Sequence, residues 1–266
     1  MSSIQYTPYD DANNVLDVLF IGVKDILGDQ FIGMYLYGSL ASGDFEPKSS
    51  DIDFVVVTEG ILPYETISKL EAMHKQIWSS GLKWASKLEG SYIPKGLIRK
   101  HDPDGPPCPT VNEGSFFVDR RGSDWIIQRH IIREYGVVLE GPDPKSLIDP
   151  VSPDEIRQSV LGVLDECWFP MLEDPSWPQK HDGNYHGYTV ITMCRALHAL
   201  QHGMIVSKPV AIRWAREKLG AHWHTLIEQA VASQDGQRPE ILKETLQFIR
   251  FTKEEIEGSD HAQDSS

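Results

Sequence analysis

The segment YLYGSLASGDFEPKSSDIDFVVV (35–57) constrains the fold more than any other part of the chain. It joins two apolar, β-rich runs, FIGMYLYG (31–38) and DIDFVVVT (51–58), through a loop of eleven residues after Ser39 that carries Gly, Ser and Pro. Runs of strand length bounded by turn formers read as strands. Side chains alternate across a strand, so Asp51 and Asp53 project to one face at the head of the second run. They directly precede FVVV, where unpaired charge is costly without a cation.

The flanking segments extend this pattern. Residues 11–28 place Val15, Leu19, Val23 and Ile26 at helical spacing, with Asp11 and Asn13 as caps and Gly28 as the stop. Helical spacing returns at 64–80, and 82–94 (LKWASKLEGSYIP) is a third strand candidate, giving the order α, β, β, α, β. Residues 99–115 are dense in Pro, Gly and Asp and read as a long loop. A helix near 123–135 and a short strand at 137–139 follow.

Four prolines in EGPDPKSLIDPVSPDE (140–155) mark a domain boundary near Pro150. Beyond it, Pro153 and Asp154 start a helix, and 185–202, 209–219, 222–233 and 239–257 read as further helices, with a polar, disordered tail at 259–266. The expected fold class is α+β. Its first domain, 1–150, holds a mixed β-sheet flanked by helices; its second, 151–258, is an all-α bundle. A chain of 266 residues is long enough for two such cores.

Charge and cysteine content narrow the function classes. The formal net charge of −14 repels polyanions, and no Lys/Arg cluster offsets it, so no extended nucleic acid is expected as a partner. No stretch reaches the roughly 18–20 apolar residues of a membrane span, and the N-terminal residues lack a signal-peptide pattern, so a cytoplasmic protein is expected. Cys108, Cys167 and Cys194 are far apart and form no CxxC pair, which suits reduced thiols.

The paired acids carry the chemistry. Magnesium takes hard oxygen ligands, one or two carboxylates together with substrate phosphates, and Asp51 with Asp53 makes such a clamp. Gly38 lets backbone approach a phosphate closely, while the hydroxyls of Ser39 and Ser50 and nearby amides donate to its oxygens. Either fragment alone is a common turn or strand start. Joined by adjacent apolar strands, the two are far more specific.

This combination resembles the nucleotidyltransferase superfamily related to DNA polymerase β, whose signature is GS, a variable loop, and an acid-x-acid pair on the next strand. It is similar in particular to the aminoglycoside adenylyltransferases that modify streptomycin and spectinomycin. LYGS and SDID stand as in that family, as do LEGPDPKSLIDPVS and HGMIVSKPVAIRWAREKLG, and the resemblance spans about Phe31 to Ala230. It implies a nucleotidyltransferase domain and a helical domain, with ATP and the antibiotic in the cleft between them. It also implies Mg2+, two ions, held by Asp51, Asp53 and Glu89.

Glu89, in KLEGSYIP, matches the family's general base, with Glu113 as the alternative. Lys208 matches a lysine that reaches the triphosphate. Arg195 matches an arginine position that serves either phosphate binding or internal ion pairing. Trp177, Asp182, Tyr185 and Tyr188 fall where the acceptor is recognised. There the chain departs from the family: WPQKHDGNYHGYTV (177–190) has only Asp182 in place of several acids, and no tyrosine near Gln234 matches the family's nucleotide-holding one.

The expected acceptor is a small, cationic, hydroxyl-bearing molecule bound by a monomer. A different small molecule, a protein or a tRNA end remains the alternative, and a catalytically silent nucleotide-binding module is a third reading that intact Gly38, Ser39, Asp51 and Asp53 oppose. His198 and His202, four residues apart, have zinc-like spacing but no neighbouring Glu or Cys ligand, so they read as a packed helix face.

Overall fold

The computed structural model of the chain describes residues 5–42, 45, 50–174, 176, 183–234 and 240–263. The chain divides into two compact units, Met1–Val151 and Ser152–Ser266.

In the first unit α1 (Asp10–Leu27) buries Val15, Leu16, Leu19, Val23 and Leu27 along one face. No side chain caps its start. Asn13, expected as a cap, instead accepts from the Thr7 amide at 2.9 Å and donates to the Thr7 carbonyl at 2.8 Å, pinning the preceding segment. Gly28, at φ 52°, ends the helix as expected.

Strands β1 (Phe31–Leu36) and β2 (Ile52–Thr58) pair antiparallel. The chain then crosses over through α3 (Tyr64–Ser79), the short α2 (Gly38–Ser42) having intervened between β1 and β2, and returns as β3 (Leu88–Pro94), parallel to β2. A parallel pair needs such a crossover, and α3 supplies it. After β4 (Cys108–Asn112), β5 (Ser115–Asp119), α5 (Asp124–Tyr135) and β6 (Val137–Glu140), the mixed sheet has the order β5-β4-β3-β2-β1-β6.

The central strand β2 is apolar on both faces because both are covered. Ile52, Phe54 and Val56 pack with α1 and α3, while Val55 and Val57 pack with Tyr35, Tyr37, Trp125 and Ile132. Each fully buried Val or Phe stabilises by about 1.5–3 kcal/mol. Asp53 shares the face of Val55 and Val57 by alternation.

Two expectations about the sheet need correction. The strand placed at 82–94 begins only at Leu88, because Trp84 adopts φ 74° and Ala85–Lys87 form a 3-10 turn. The long loop placed at 99–115 holds β4 and the turn of a hairpin: Asn112 pairs with Ser115 around Glu113 (φ 45°) and Gly114 (φ 73°). Two positive φ values are what a tight type I′ hairpin turn demands. Pro109 disguised the strand, yet it is tolerated there, since β4 meets β3 only at Thr110 and Val111.

The second unit is helical throughout its described residues. Its first helix, α7 (Pro153–Val163), follows two short helices of the first unit, α4 (Lys95–Arg99) and α6 (Pro144–Leu147). Ser152 and Glu155 close a capping box on α7, with Pro153 in the first turn. A π turn (Leu164–Trp168) and a 3-10 turn (Phe169–Leu172) follow. Then come α8 (Gly183–His202), α9 (Lys208–Lys218), α10 (His224–Gln234) and α11 (Leu242–Gln263).

Helix α8 is the hub: Val190, Met193, Cys194 and Ala199 are buried, and Gly187 lets α10 approach so closely that a Cβ there would lie 1.9 Å from Ser233 Oγ. The last helix runs to Gln263, past the start of the expected polar tail, since each added residue of an established helix gains a backbone hydrogen bond. His198 and His202 lie with ring centroids 4.6 Å apart, edge-on to Trp214. No described helix is long and apolar enough to cross a membrane.

Candidate active site

The site grows from the corner where β1 ends. The Tyr37 amide donates to the Asp53 carbonyl at 3.1 Å, holding the corner against β2. The chain then turns at Gly38 with φ 65°, and a Cβ there would lie 2.0 Å from Asp53 Oδ2. Only glycine can occupy this position, because the Asp53 carboxylate fills the space a side chain would need. Ser39 follows in the first turn of α2, half-buried.

The second piece is the β2–β3 ladder, in which Asp53 pairs with Glu89. Neighbouring strands run about 4.8 Å apart and paired residues point the same way, so these carboxyls stand side by side on one face. Asp51, just before β2, is half-buried beside Ser50 and bridged by Lys87 Nζ at 3.0 Å.

Glu89 feels this crowd of acids. Burial, then the charges of Asp51, Glu113 and Asp124, push its pKa above the usual Glu value of 4.5, against a smaller downward pull from Lys87. Tyr37 is buried beneath, its hydroxyl 3.3 Å from Gln128 Oε1, and burial with the nearby Asp53, Glu89 and Asp124 charges holds its pKa well above 10.0. Glu113 sits on the β4–β5 turn rather than on a strand.

The donor chemistry suits a hard divalent cation. Asp51, Asp53 and Glu89 offer only oxygens, and one of them already holds a cationic partner in Lys87. Among the described residues no three such side chains stand in finished metal-ligand geometry.

In the second unit, Tyr185, Tyr188 and Arg195 recur at helical spacing along α8. Trp168 stacks on Tyr185 at 6.2 Å, Tyr188 lies 6.0 Å from Tyr185, and Lys208 Nζ, at the start of α9, stands 5.8 Å over the Tyr188 ring. Tyr188 is 43% exposed, so one side of this cluster faces solvent. Arg195 is half-buried in the same helix. Trp177 and Asp182 lie outside the described residues.

Comparison with known proteins separates the same two parts. Residues 22–95 match the family described as Nucleotidyltransferase domain, and residues 146–254 match Aminoglycoside adenylyltransferase, C-terminal domain. The chain is a nucleotidyltransferase, and its second part is similar to the C-terminal domain of aminoglycoside adenylyltransferases. The enzyme is 24% identical to a spectinomycin 9-adenylyltransferase of Staphylococcus aureus, over 93% of this chain and 95% of that one. It is 26% identical to an aminoglycoside (3'') (9) adenylyltransferase of Klebsiella pneumoniae, over 85% and 87% of the two chains. Its fold is similar to the crystal structure of a spectinomycin adenyltransferase from Enterococcus faecialis with ATP and spectinomycin, at TM-score 0.66 and 20% identity over 90% of this chain and 96% of that one.

Several polar residues of the enzyme's site escape a reading of the sequence. Tyr37 looks like another strand residue, yet it lies under the acids. Asp124 and Gln128 are one helical turn apart on α5, with Gln128 Nε2 donating to Asp124 Oδ2 at 2.5 Å. Their i, i+4 spacing was the available signal. Arg121, in the link from β5 to α5, had none.

Proposed function

We propose that the enzyme transfers AMP from ATP to a hydroxyl of a small aminoglycoside or aminocyclitol of the streptomycin or spectinomycin kind, releasing pyrophosphate. The observation that carries this reading is the in-register Asp53–Glu89 pair beside Gly38. Asp51 and Asp53, with Glu89, would hold two magnesium ions, which when bound would polarise the phosphates and stabilise charge developing on them. Gly38, Ser39 and Ser50 donate backbone and hydroxyl hydrogen bonds to phosphate oxygens.

Glu89 takes the proton of the attacking hydroxyl onto its carboxylate. The freed oxygen attacks the α-phosphorus, forming the new P–O bond as the bond to the pyrophosphate oxygen breaks. Lys208 and Arg195 bind phosphate oxygens, the lysine as a point charge and the arginine through its planar fork. Trp177, Asp182, Tyr185 and Tyr188 contact the acceptor, and aromatic rings facing solvent are suited to covering a sugar or a cation. Residues 1–150 thus supply the transfer chemistry and 151–258 the nucleotide and acceptor binding, in a cytoplasmic monomer.

The test is incubation with ATP, Mg2+ and spectinomycin or streptomycin, following pyrophosphate release and a mass gain of one AMP on the drug. Asp53→Asn should abolish both signals. Undiminished pyrophosphate release by Asp53→Asn refutes the chemistry. Adenylylation of some other molecule while both drugs stay unmodified refutes the acceptor.

A further inference from the structure

The register that sets Asp53 beside Glu89 also sets an acid opposite a base. Ile52 pairs with Leu88 and Asp53 with Glu89, so one step earlier Asp51 stands opposite Lys87. Alternation turns positions 51 and 53, and positions 87 and 89, to one side of the sheet. Three carboxyls and the ammonium of Lys87 thus share one face. The backbone fixes where Lys87 starts, because it closes the 3-10 turn Ala85–Lys87 and its amide donates to the Trp84 carbonyl at 2.8 Å.

The side chain is held far less firmly. Lys87 Nζ stands 3.0 Å from Asp51 Oδ1, with the lysine side chain 44% and the aspartate side chain 30% exposed. Ion pairs this open to water add little stability. Asp51 Oδ1 itself is buried and accepts no hydrogen bond among the described residues. The ammonium therefore neutralises this oxygen without satisfying it. The same charge reaches Glu89, which it draws toward the ionised form.

A divalent ion needs what Lys87 holds. Magnesium takes carboxylate oxygens in direct contact, at about 2.0–2.1 Å. With Oδ1 closed to solvent, a metal reaches it only after Nζ has swung out. Repulsion adds to the competition: a unit charge about 5 Å from a double charge is worth roughly tenfold in binding even in water.

We propose that Lys87 is a built-in competitor of the divalent metal at Asp51. Its ammonium leaves for solvent when a metal ion takes Oδ1, so the metal alone binds weakly and binds well only together with the triphosphate, whose oxygens add ligands. The proposal rests on the reading of Asp51 as a metal ligand and gives Lys87 a role in deciding when the metal enters.

The test is metal binding without turnover, on the full chain, with Mn2+ as the probe and the free ion followed by electron paramagnetic resonance. Lys87→Gln should bind Mn2+ about tenfold tighter than the parent, whereas Lys87→Arg, which keeps the charge, should show no gain. Adding Asp51→Asn to Lys87→Gln should remove the gain, because nothing is then left to compete over. The Mn2+ complex of α,β-methylene ATP, which cannot be cleaved at the reacting bond, should bind parent and Lys87→Gln within about threefold of each other by calorimetry.

Equal or weaker Mn2+ binding by Lys87→Gln overturns the proposal, as does a gain in Lys87→Arg, a gain that survives Asp51→Asn, or a tenfold gap that persists with the nucleotide. Asp51→Asn alone separates the two readings. If it leaves Mn2+ affinity unchanged, Asp51 is no metal ligand and both readings fall; if it weakens Mn2+ while Lys87→Gln gains nothing, this proposal alone is refuted.

Discussion

Replacing Gly38 with alanine should separate the cost of a backbone conformation from the cost of displacing a carboxylate. The new Cβ would stand 2.0 Å from Asp53 Oδ2, whereas ordinary contact begins at 3.4 Å, so the oxygen must retreat by about 1.4 Å (3.4 − 2.0). A misplacement of about 1 Å in a reacting constellation costs about 100-fold in rate, equivalent to about 2.7 kcal/mol of lost transition-state stabilisation. Alanine at φ 65° adds about 1–2 kcal/mol of backbone strain, which lowers stability. Gly81→Ala is the control, because Gly81 has φ 76° but nothing within 4 Å of its would-be Cβ. Both variants should lose about 1–2 kcal/mol in urea denaturation, but only Gly38→Ala should lose about 100-fold in kcat/KM, read by pyrophosphate release. Equal activity in the two variants would refute the claim that Gly38 is required by the position of Asp53.

Three further outcomes follow from the same geometry. Because the Glu113 charge raises the Glu89 pKa, Glu113→Gln should move the acid limb of kcat/KM to lower pH and leave the plateau intact; a plateau lowered about 100-fold would make Glu113 the base instead. Glu89 has a folded pKa above 4.5, so the native state holds more protons than the unfolded state between 4.5 and that raised value, and stability falls as pH rises through this window. Glu89→Gln should therefore be inactive yet more stable than the parent at pH 8 and not at pH 4, and an equal change at both pH values in urea unfolding counts against a charged, desolvated Glu89. Lys208→Ala should raise KM for ATP about tenfold with the unfolding midpoint unchanged, as loss of one phosphate contact predicts; an unchanged KM removes Lys208 from the nucleotide site.

The legible parts of the molecule were those in which one local pattern sufficed. Helix α3 follows from the spacing of Leu70, Met73 and Ile77, and β2 from a run that is apolar on both faces because helices cover both. Asp51 and Asp53 stood out because charge beside FVVV needs a reason. The β4–β5 hairpin was hidden because Pro109 and the Gly-rich link mimic a loop, and only the pairing partners of β4 show that its proline lies beyond the ladder with β3. Tyr37, Arg121 and Asp124 surround Glu89 through tertiary packing, and no period in the sequence brings residues so far apart into one place. The register of Glu89 against Asp53 was legible only as a matching segment, since a slip of one residue would turn Glu89 to the other face.

That register has a consequence for how this enzyme can change. The separation of Asp53 and Glu89 is set by hydrogen bonds between adjacent strands, a dimension common to all sheets, and not by the 35 residues that run between them in the chain. The linkers on either side of α3 can therefore lengthen, shorten or drift without altering the spacing of the two acids. Arg121 enjoys no such protection, because it stands in the short link from β5 to α5 and moves with it.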